Sequence, residues 1–227
     1  MQSSKPDFRI KICGIVDQRD YQLAVQLGAD AVGFNFYVGS PRFIAPEVVG
    51  SWNRPTPRQA LRVGVFVDAD PRWVAEVAKT ARLDRVQLHG SERPQDWADW
   101  GGPPRIKAIG WRGDPDAACA ESWVASGVSG LLIDAYAPLE KGGTGRVARW
   151  DLLVPRPGCL GATPMILAGG LRPENVAEAI QTVRPDAVDT ASGVETAPGK
   201  KDPEKLAGFI QEAIAAFSGL TFPPAEG

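Results

Sequence analysis

The sequence predicts an α/β fold of one architecture, a (β/α)8 TIM barrel, with a parallel eight-stranded barrel inside and helices outside. Three observations predict it. Eight short apolar runs recur along the chain, each followed by a turn and a stretch of helical period. Helix-start signals stand between several of those runs. The chain of 227 residues carries no long linker, charge run or low-complexity segment that would divide it, and about 200–250 residues suits a barrel built as one domain. The reading is one domain over residues 1–227, with a core from about 8 to 217 and a loose tail at 219–227.

The expected strands are Phe8–Cys13, Ala31–Phe36, Arg62–Phe66, Arg85–Leu88, Arg105–Ile109, Gly130–Asp134, Pro164–Ala168 and Asp186–Asp189. Asp70-Pro71, Asp114-Pro115 and Asp202-Pro203 each put an N-cap carboxylate before a proline suited to the first helical position. Asp17 caps the first helix, with Tyr21, Ala24, Val25 and Leu27 on its buried face. In the last helix, Leu206, Phe209, Ile210, Ala213, Ile214 and Phe217 form one apolar stripe. The competing layout, an open doubly wound sheet, would show G-x-G-x-x-G after the first strand, and GIVDQ is not that motif.

Composition narrows the function. Hydrophobic residues make up 44% of the chain and the net charge is −2, so no bulk basic field attracts nucleic acid or anionic lipid. Cys13, Cys119 and Cys159 are odd in number, widely spaced and outside any metal-ligand pattern, which suits a reducing cytosol. The first ten residues lack an apolar signal core, and no run reaches the ~18 apolar residues of a membrane span. A soluble, cytoplasmic protein is expected, with no nucleic-acid or membrane partner.

Strand parity adds detail. If Cys13 points inward, so do Arg9 and Lys11, while Phe8, Ile10 and Ile12 face the helices. The same parity places Gln87, His89, Lys107, Asp134 and Asp189 inside. A buried lysine needs a partner, and strands one and eight are neighbours in a closed barrel, so Lys11 should lie against Asp189.

Barrel chemistry occurs at the C-terminal strand ends, here Cys13, Asn35 with the loop to Arg42, Asp68, His89, Asp134, Gly169-Gly170 and Ser192-Gly193. Each has a plain structural alternative. Cys13 alone reads as a small buried hydrophobe, His89 as a satisfied strand cap, Asp134 as a helix cap or salt-bridge partner, and Arg42 as a solvated loop charge. The glycine clusters say more, because loops after strands seven and eight form the usual phosphate site of such barrels. Gly169, Gly170, Ser192 and Gly193 are the phosphate candidates there. Gly143 in EKGGTG, residues 140 to 145, marks a further loop able to cover a phosphate.

In order along the chain, KICGI, GADAVGFNFYVGSPRFI, VGVFVD, VQLHGSE, LLIDAY, GGTG, LAGGLRPENV and DTASGVETAPGKKD resemble the phosphoribosylanthranilate isomerase family of tryptophan biosynthesis, from about Arg9 to Phe217. The resemblance implies a (β/α)8 barrel needing no metal or organic cofactor, and a small-molecule substrate, N-(5'-phosphoribosyl)anthranilate. It implies an Amadori rearrangement to 1-(2-carboxyphenylamino)-1-deoxyribulose 5-phosphate. Asp134 would match the general acid and Cys13 the general base, which positive neighbours should help to ionise. Arg42 would grip the anthranilate carboxylate, and Arg42, His89 and Asp189 make up the substrate-binding candidates. Gly143, Gly169, Gly170, Ser192 and Gly193 would hold phosphate.

Two positions depart from the family pattern. Val16 stands where a threonine is usual, and Ala191 replaces the first of two serines. Each removes one hydroxyl, and a neutral hydrogen bond contributes about 0.5–1.5 kcal/mol. The alternatives are a paralogous isomerase of a related N-aryl ribosylamine phosphate and a non-catalytic phosphosugar-binding barrel. The related isomerase of histidine biosynthesis fits less well, because it resembles a two-aspartate design and Cys13 ends strand one here. The chain is expected to be a monomer or a homodimer.

Overall fold

The structure, a computed structural model, describes residues 7–54, 59–135 and 149–220. In chain order its elements are β1 (Ile10–Ile12), α1 (Gln18–Leu27), β2 (Ala31–Asn35), α2 (Pro46–Ser51), β3 (Leu61–Phe66), α3 (Pro71–Thr80) and β4 (Arg85–Leu88). There follow β5 (Arg105–Gly110), α4 (Ala117–Ala125), β6 (Gly130–Asp134), β7 (Met165–Ala168), α5 (Val176–Val183), β8 (Ala187–Thr190), the ribbon β9 (Glu195–Ala197) with β10 (Lys200–Lys201), and α6 (Pro203–Gly219). Strands β1 to β8 pair in parallel, each with the next, and β8 returns to β1 to close the barrel. Lys11 stands in register with Asp189 across that seam.

Local chemistry explains the helix starts. Asp17 accepts from the amides of Arg19 and Asp20, Asp70 from Arg72, and Asp202 from Glu204 and Lys205, so carboxylates satisfy first-turn donors that have no helical acceptor. Asp114-Pro115 differs. It opens a 3-10 turn over Asp114–Asp116 with no side-chain cap, while Asp116 turns back to the amide and guanidinium of Arg112. After β4 the described chain forms only a 3-10 turn, Pro94–Trp97, instead of an α-helix. The prolines and glycines of Gly101-Gly102-Pro103-Pro104 leave too short a run to propagate one. On α6 the expected stripe is buried except Ile214, which is 45% exposed, and on α1 Leu27 is only partly buried. Gly219 ends α6 instead of opening a tail, and residues 221–227 lie outside the described ones.

Two apolar layers hold the fold. The larger lies between the outer faces of the strands and the helices, and includes Ile12, Phe34, Phe66, Leu88, Ile133, Val188 and Phe209. The smaller fills the barrel with Ala31, Val63, Ile106, Ala108, Leu132, Ile166, Ala168 and Ala187, joined by Phe8. Parity misplaced three side chains. Phe8 packs inside while Arg9 is exposed, its guanidinium 5.4 Å over the Phe217 ring, because β1 spans only Ile10–Ile12 and strict alternation stops there. Lys107 lies on the helix side, 5.5 Å over Trp123 and 2.7 Å from Glu92. The stagger aligns inward Gln87 with Ile106, so Ile106 inherits the interior position and Lys107 loses it.

A second buried cation supports the outer layer. Arg62 is fully buried and donates to the carbonyls of Val49, Trp52 and Ala81, at the C-terminal ends of α2 and α3. Its charge is balanced by the negative ends of two helices and by the Tyr21 ring at 5.4 Å.

Candidate active site

The end of β1 is shaped by two glycines. The amide of Cys13 donates to Thr190 O at 2.8 Å, which carries the β1–β8 pairing one residue past β1. Gly33 lies on the interior face of β2, two residues from Ala31, and a Cβ there would sit 2.6 Å from Cys13 Sγ and 3.1 Å from Lys11 Nζ. The missing side chain thus makes room for sulfur and ammonium together, and it places the sulfur on the barrel side of the sheet. Gly14, with φ +76, turns the chain, and a Cβ there would meet Arg42 Cδ at 2.5 Å. The Arg42 stem occupies that space.

Electrostatics around the sulfur combine opposing causes. Burial pushes the Cys13 thiol above its ordinary value; Lys11 pulls it back, Asp189 raises it further, and Lys201 lowers it. The positive neighbours expected from sequence are in place, but dehydration wins and the thiol keeps its proton at neutral pH. Lys11 Nζ bonds Asp189 Oδ1 at 2.8 Å, as its burial requires. Dehydration opposes the lysine's charge, yet Asp189 and then Cys13 outweigh it and leave Lys11 above its ordinary range.

At the end of β4, His89 is exposed at the mouth, with Nδ1 3.0 Å from Gln87 Nε2. Protein crowding pulls its imidazole below the usual value, with Lys11 next in effect; Asp189 and Asp134 act in the opposite sense. His89 is therefore neutral at pH 7. Glu92 braces the loop beyond it by accepting from the amides of Gly90 and Asp68 and from Lys107, and Ser91 donates to Asp68 Oδ1. Asn35 Oδ1 accepts from Tyr37 N, a turn role.

Asp134 ends β6, partly buried. Its carbonyl accepts from Trp111 N at 3.0 Å, and the amide of Ala135 donates to Ala168 O, so neighbouring strands pin the backbone on both sides. Gly143 and the rest of residues 140–145 lie outside the described residues.

The two remaining glycine loops come together. Gly169 and Gly170 have φ of +93 and +68, conformations that favour glycine. Thr190 Oγ1 donates to Leu171 O at 2.7 Å, tying the β8 loop to the β7 loop. A Cβ on Gly193 would fall 1.9 Å from Leu171 O, so only glycine allows that approach. Ser192–Val194 forms a 3-10 turn beside it, whose first amides have no acceptor within the turn.

Sequence reasoning missed the layer behind Arg42. Arg42 Nε lies 2.9 Å from Glu195 Oε1, and Arg42 Nη2 lies 2.5 Å from Glu195 Oε2. Lys201 Nζ donates to Glu195 Oε1 at 2.8 Å, to Cys13 O at 2.6 Å and to Ala191 O at 3.1 Å. Burial alone would raise the Glu195 carboxyl, but Arg42 and Lys201 hold it below its ordinary value. Burial lowers Lys201, and Glu195 only partly restores it. The SGVE and GKKD segments carried the signal, but nothing in their spacing shows that the β9–β10 ribbon returns to β1.

Among the described residues, no group of His, Cys, Asp and Glu is placed to hold a metal ion, and no helix is long and apolar enough to cross a membrane. Thiol, carboxyl and imidazole groups ring the C-terminal mouth, with glycine loops beside them. Fold and mouth together define a (β/α)8 barrel whose mouth carries groups suited to proton transfer.

Comparison with known proteins narrows the class. The family model described as N-(5'phosphoribosyl)anthranilate (PRA) isomerase matches residues 10–212. The chain is 46% identical over 209 residues to N-(5'-phosphoribosyl)anthranilate isomerase of Thiobacillus denitrificans, covering 92% of this chain and 98% of that one. The phosphoribosyl anthranilate isomerase crystal structure from Thermotoga maritima superposes with TM-score 0.81 at 40% identity, over 92% of this chain and 99% of that one. A phosphoribosyl anthranilate isomerase in complex with reduced 1-(o-carboxyphenylamino)-1-deoxyribulose 5-phosphate gives TM-score 0.79 at 37% identity, again over 92% and 99%. This chain belongs to the N-(5'-phosphoribosyl)anthranilate isomerase family.

Proposed function

We propose that this chain catalyses the Amadori rearrangement of N-(5'-phosphoribosyl)anthranilate in L-tryptophan biosynthesis, with Asp134 as general acid and Cys13 as general base. The observation that carries the activity is the family match over residues 10–212. It favours this reaction over a paralogous N-aryl substrate and over a non-catalytic binder. The residue roles draw their support from the position of the sulfur on the barrel side beside Lys11, and from Asp134 at the mouth near His89.

The steps balance without an external reagent. Asp134 gives its proton to the furanose ring oxygen while the aryl nitrogen lone pair expels that oxygen from C1', leaving an open-chain protonated Schiff base. The Cys13 thiolate takes the C2' proton, and the C–H electron pair forms the C1'–C2' double bond as the nitrogen regains its lone pair. The enolamine then gains a proton at C1' and loses the C2' hydroxyl proton, yielding the ketone. Lys11 faces the sulfur and steadies the thiolate against the cost of its burial.

Arg42 holds the anthranilate carboxylate in this reading, and His89, neutral at pH 7, serves as a hydrogen-bonding group toward the substrate. Gly169, Gly170, Ser192 and Gly193 present backbone amides to the phosphate. Asp189 acts mainly by holding Lys11. The free thiols Cys13, Cys119 and Cys159 suit a reducing cytoplasm, and the working unit is a monomer or homodimer.

The decisive assay follows loss of the anthranilate fluorescence of phosphoribosylanthranilate. Turnover by the wild type is expected. A chain that binds the substrate and leaves its fluorescence intact would overturn the catalytic reading.

A further inference from the structure

We propose that Glu195 is a positioning residue that aims the end-on fork of Arg42 at the substrate carboxylate, with Lys201 fixing Glu195 in turn. This rests on the reading of Arg42 as the carboxylate grip.

A guanidinium offers two edges, each able to pair with one carboxylate. Glu195 takes the Nε–Nη2 edge: Nε lies 2.9 Å from Oε1 and 3.2 Å from Oε2, and Nη2 lies 2.5 Å from Oε2. The N–H groups left over are the two on Nη1 and one on Nη2, so an incoming carboxylate meets only the end-on fork. The side chains differ in exposure as this division requires. Arg42 is 22% exposed at the mouth, Glu195 only 4% and Lys201 0%.

Glu195 is itself held on several sides. Its Oε1 accepts from Lys201 Nζ and from the Gly199 amide, within the β9–β10 turn. Lys201 gives its other donors to Cys13 O and Ala191 O, so one ammonium links the arginine's partner to the backbone of the base and to the residue before Ser192. Gly14 completes the arrangement, since any Cβ there would collide with the Arg42 stem. Two cations and one carboxylate leave a net positive charge, which the substrate carboxylate neutralises.

Glu195→Gln tests this with two inert ligands, reduced 1-(o-carboxyphenylamino)-1-deoxyribulose 5-phosphate and its phenylamino counterpart without the carboxylate. Calorimetry on one preparation compares both, so any unfolded fraction affects them equally. The variant should weaken the carboxylated ligand about tenfold, ~1.4 kcal/mol, and leave the other within about twofold. With substrate, KM should rise by a similar factor while kcat changes less than about threefold. In an Arg42→Ala background, Glu195→Gln should add no further loss for the carboxylated ligand. Equal weakening of both ligands, no weakening of either, or a full additional loss without Arg42 would overturn the proposal. A wild type that binds both ligands equally would instead sink the reading of Arg42, and this proposal with it.

Discussion

Lys11 Nζ lies 2.8 Å from Asp189 Oδ1, and the two residues are direct register partners where β8 closes on β1. Lys11 is fully buried and the Asp189 side chain is 10% exposed, so neither charge has water to fall back on. Asp189→Asn therefore leaves an uncompensated ammonium inside the barrel. A stability loss of about 3–5 kcal/mol is expected by urea unfolding. Lys11→Met with Asp189→Asn removes both charges and should recover a large part of it; a double variant no better than the singles would refute a purely ionic cause.

Cys13→Ala and Asp134→Asn should each lower kcat by about 10²–10⁴-fold, the range of one proton-transfer group, with KM largely kept. Cys119 is exposed on α4 and has no part in the proposed steps, so Cys119→Ala should leave both constants unchanged. Near-normal turnover in either of the first two variants would remove that residue from the mechanism.

Burial holds the Cys13 proton above the ordinary thiol range, so the reactive thiolate gains population as pH rises. The kcat/KM profile should climb through pH 8 to 9 without levelling, if Cys13 ionisation governs the free enzyme. Lys11→Met removes the nearest cation and should move that climb to still higher pH. A profile flat above pH 7 in the wild type would contradict a protonated resting thiol.

Gly193→Ala puts a methyl group 1.9 Å from Leu171 O, a backbone atom that cannot swing aside. The β7 and β8 loops must part, and inorganic phosphate should compete about tenfold less well if those loops form the phosphate grip, one lost charge-assisted hydrogen bond being worth about 1.5–3 kcal/mol. Competition unchanged from wild type would place the phosphate elsewhere.

Strand order was legible because it depends on short-range patterning. Arg85–Leu88 and Gly130–Asp134 keep the bounds expected of them, and the other strands shift by only a few residues at their ends. Asp17, Asp70 and Asp202 cap as expected because an N-cap bond spans only two or three residues. Parity failed where a strand was short or staggered against its neighbour, as at Phe8, Arg9 and Lys107.

The sequence by itself determined the barrel, the helix starts at Asp17, Asp70 and Asp202 and which chemical groups stand at strand ends, because periodicity and capping act over a few residues. It also made Lys11 and Asp189 partners, since closure forces the first and last strands together. Only the tertiary structure decided that Glu195 and Lys201 stand behind Arg42 and Cys13, 153 residues from Arg42 in one case and 188 from Cys13 in the other. It alone decided that dehydration outweighs two lysines at the thiol. Both outcomes depend on how much water is excluded and which distant chain returns to the mouth, and no local pattern encodes either quantity.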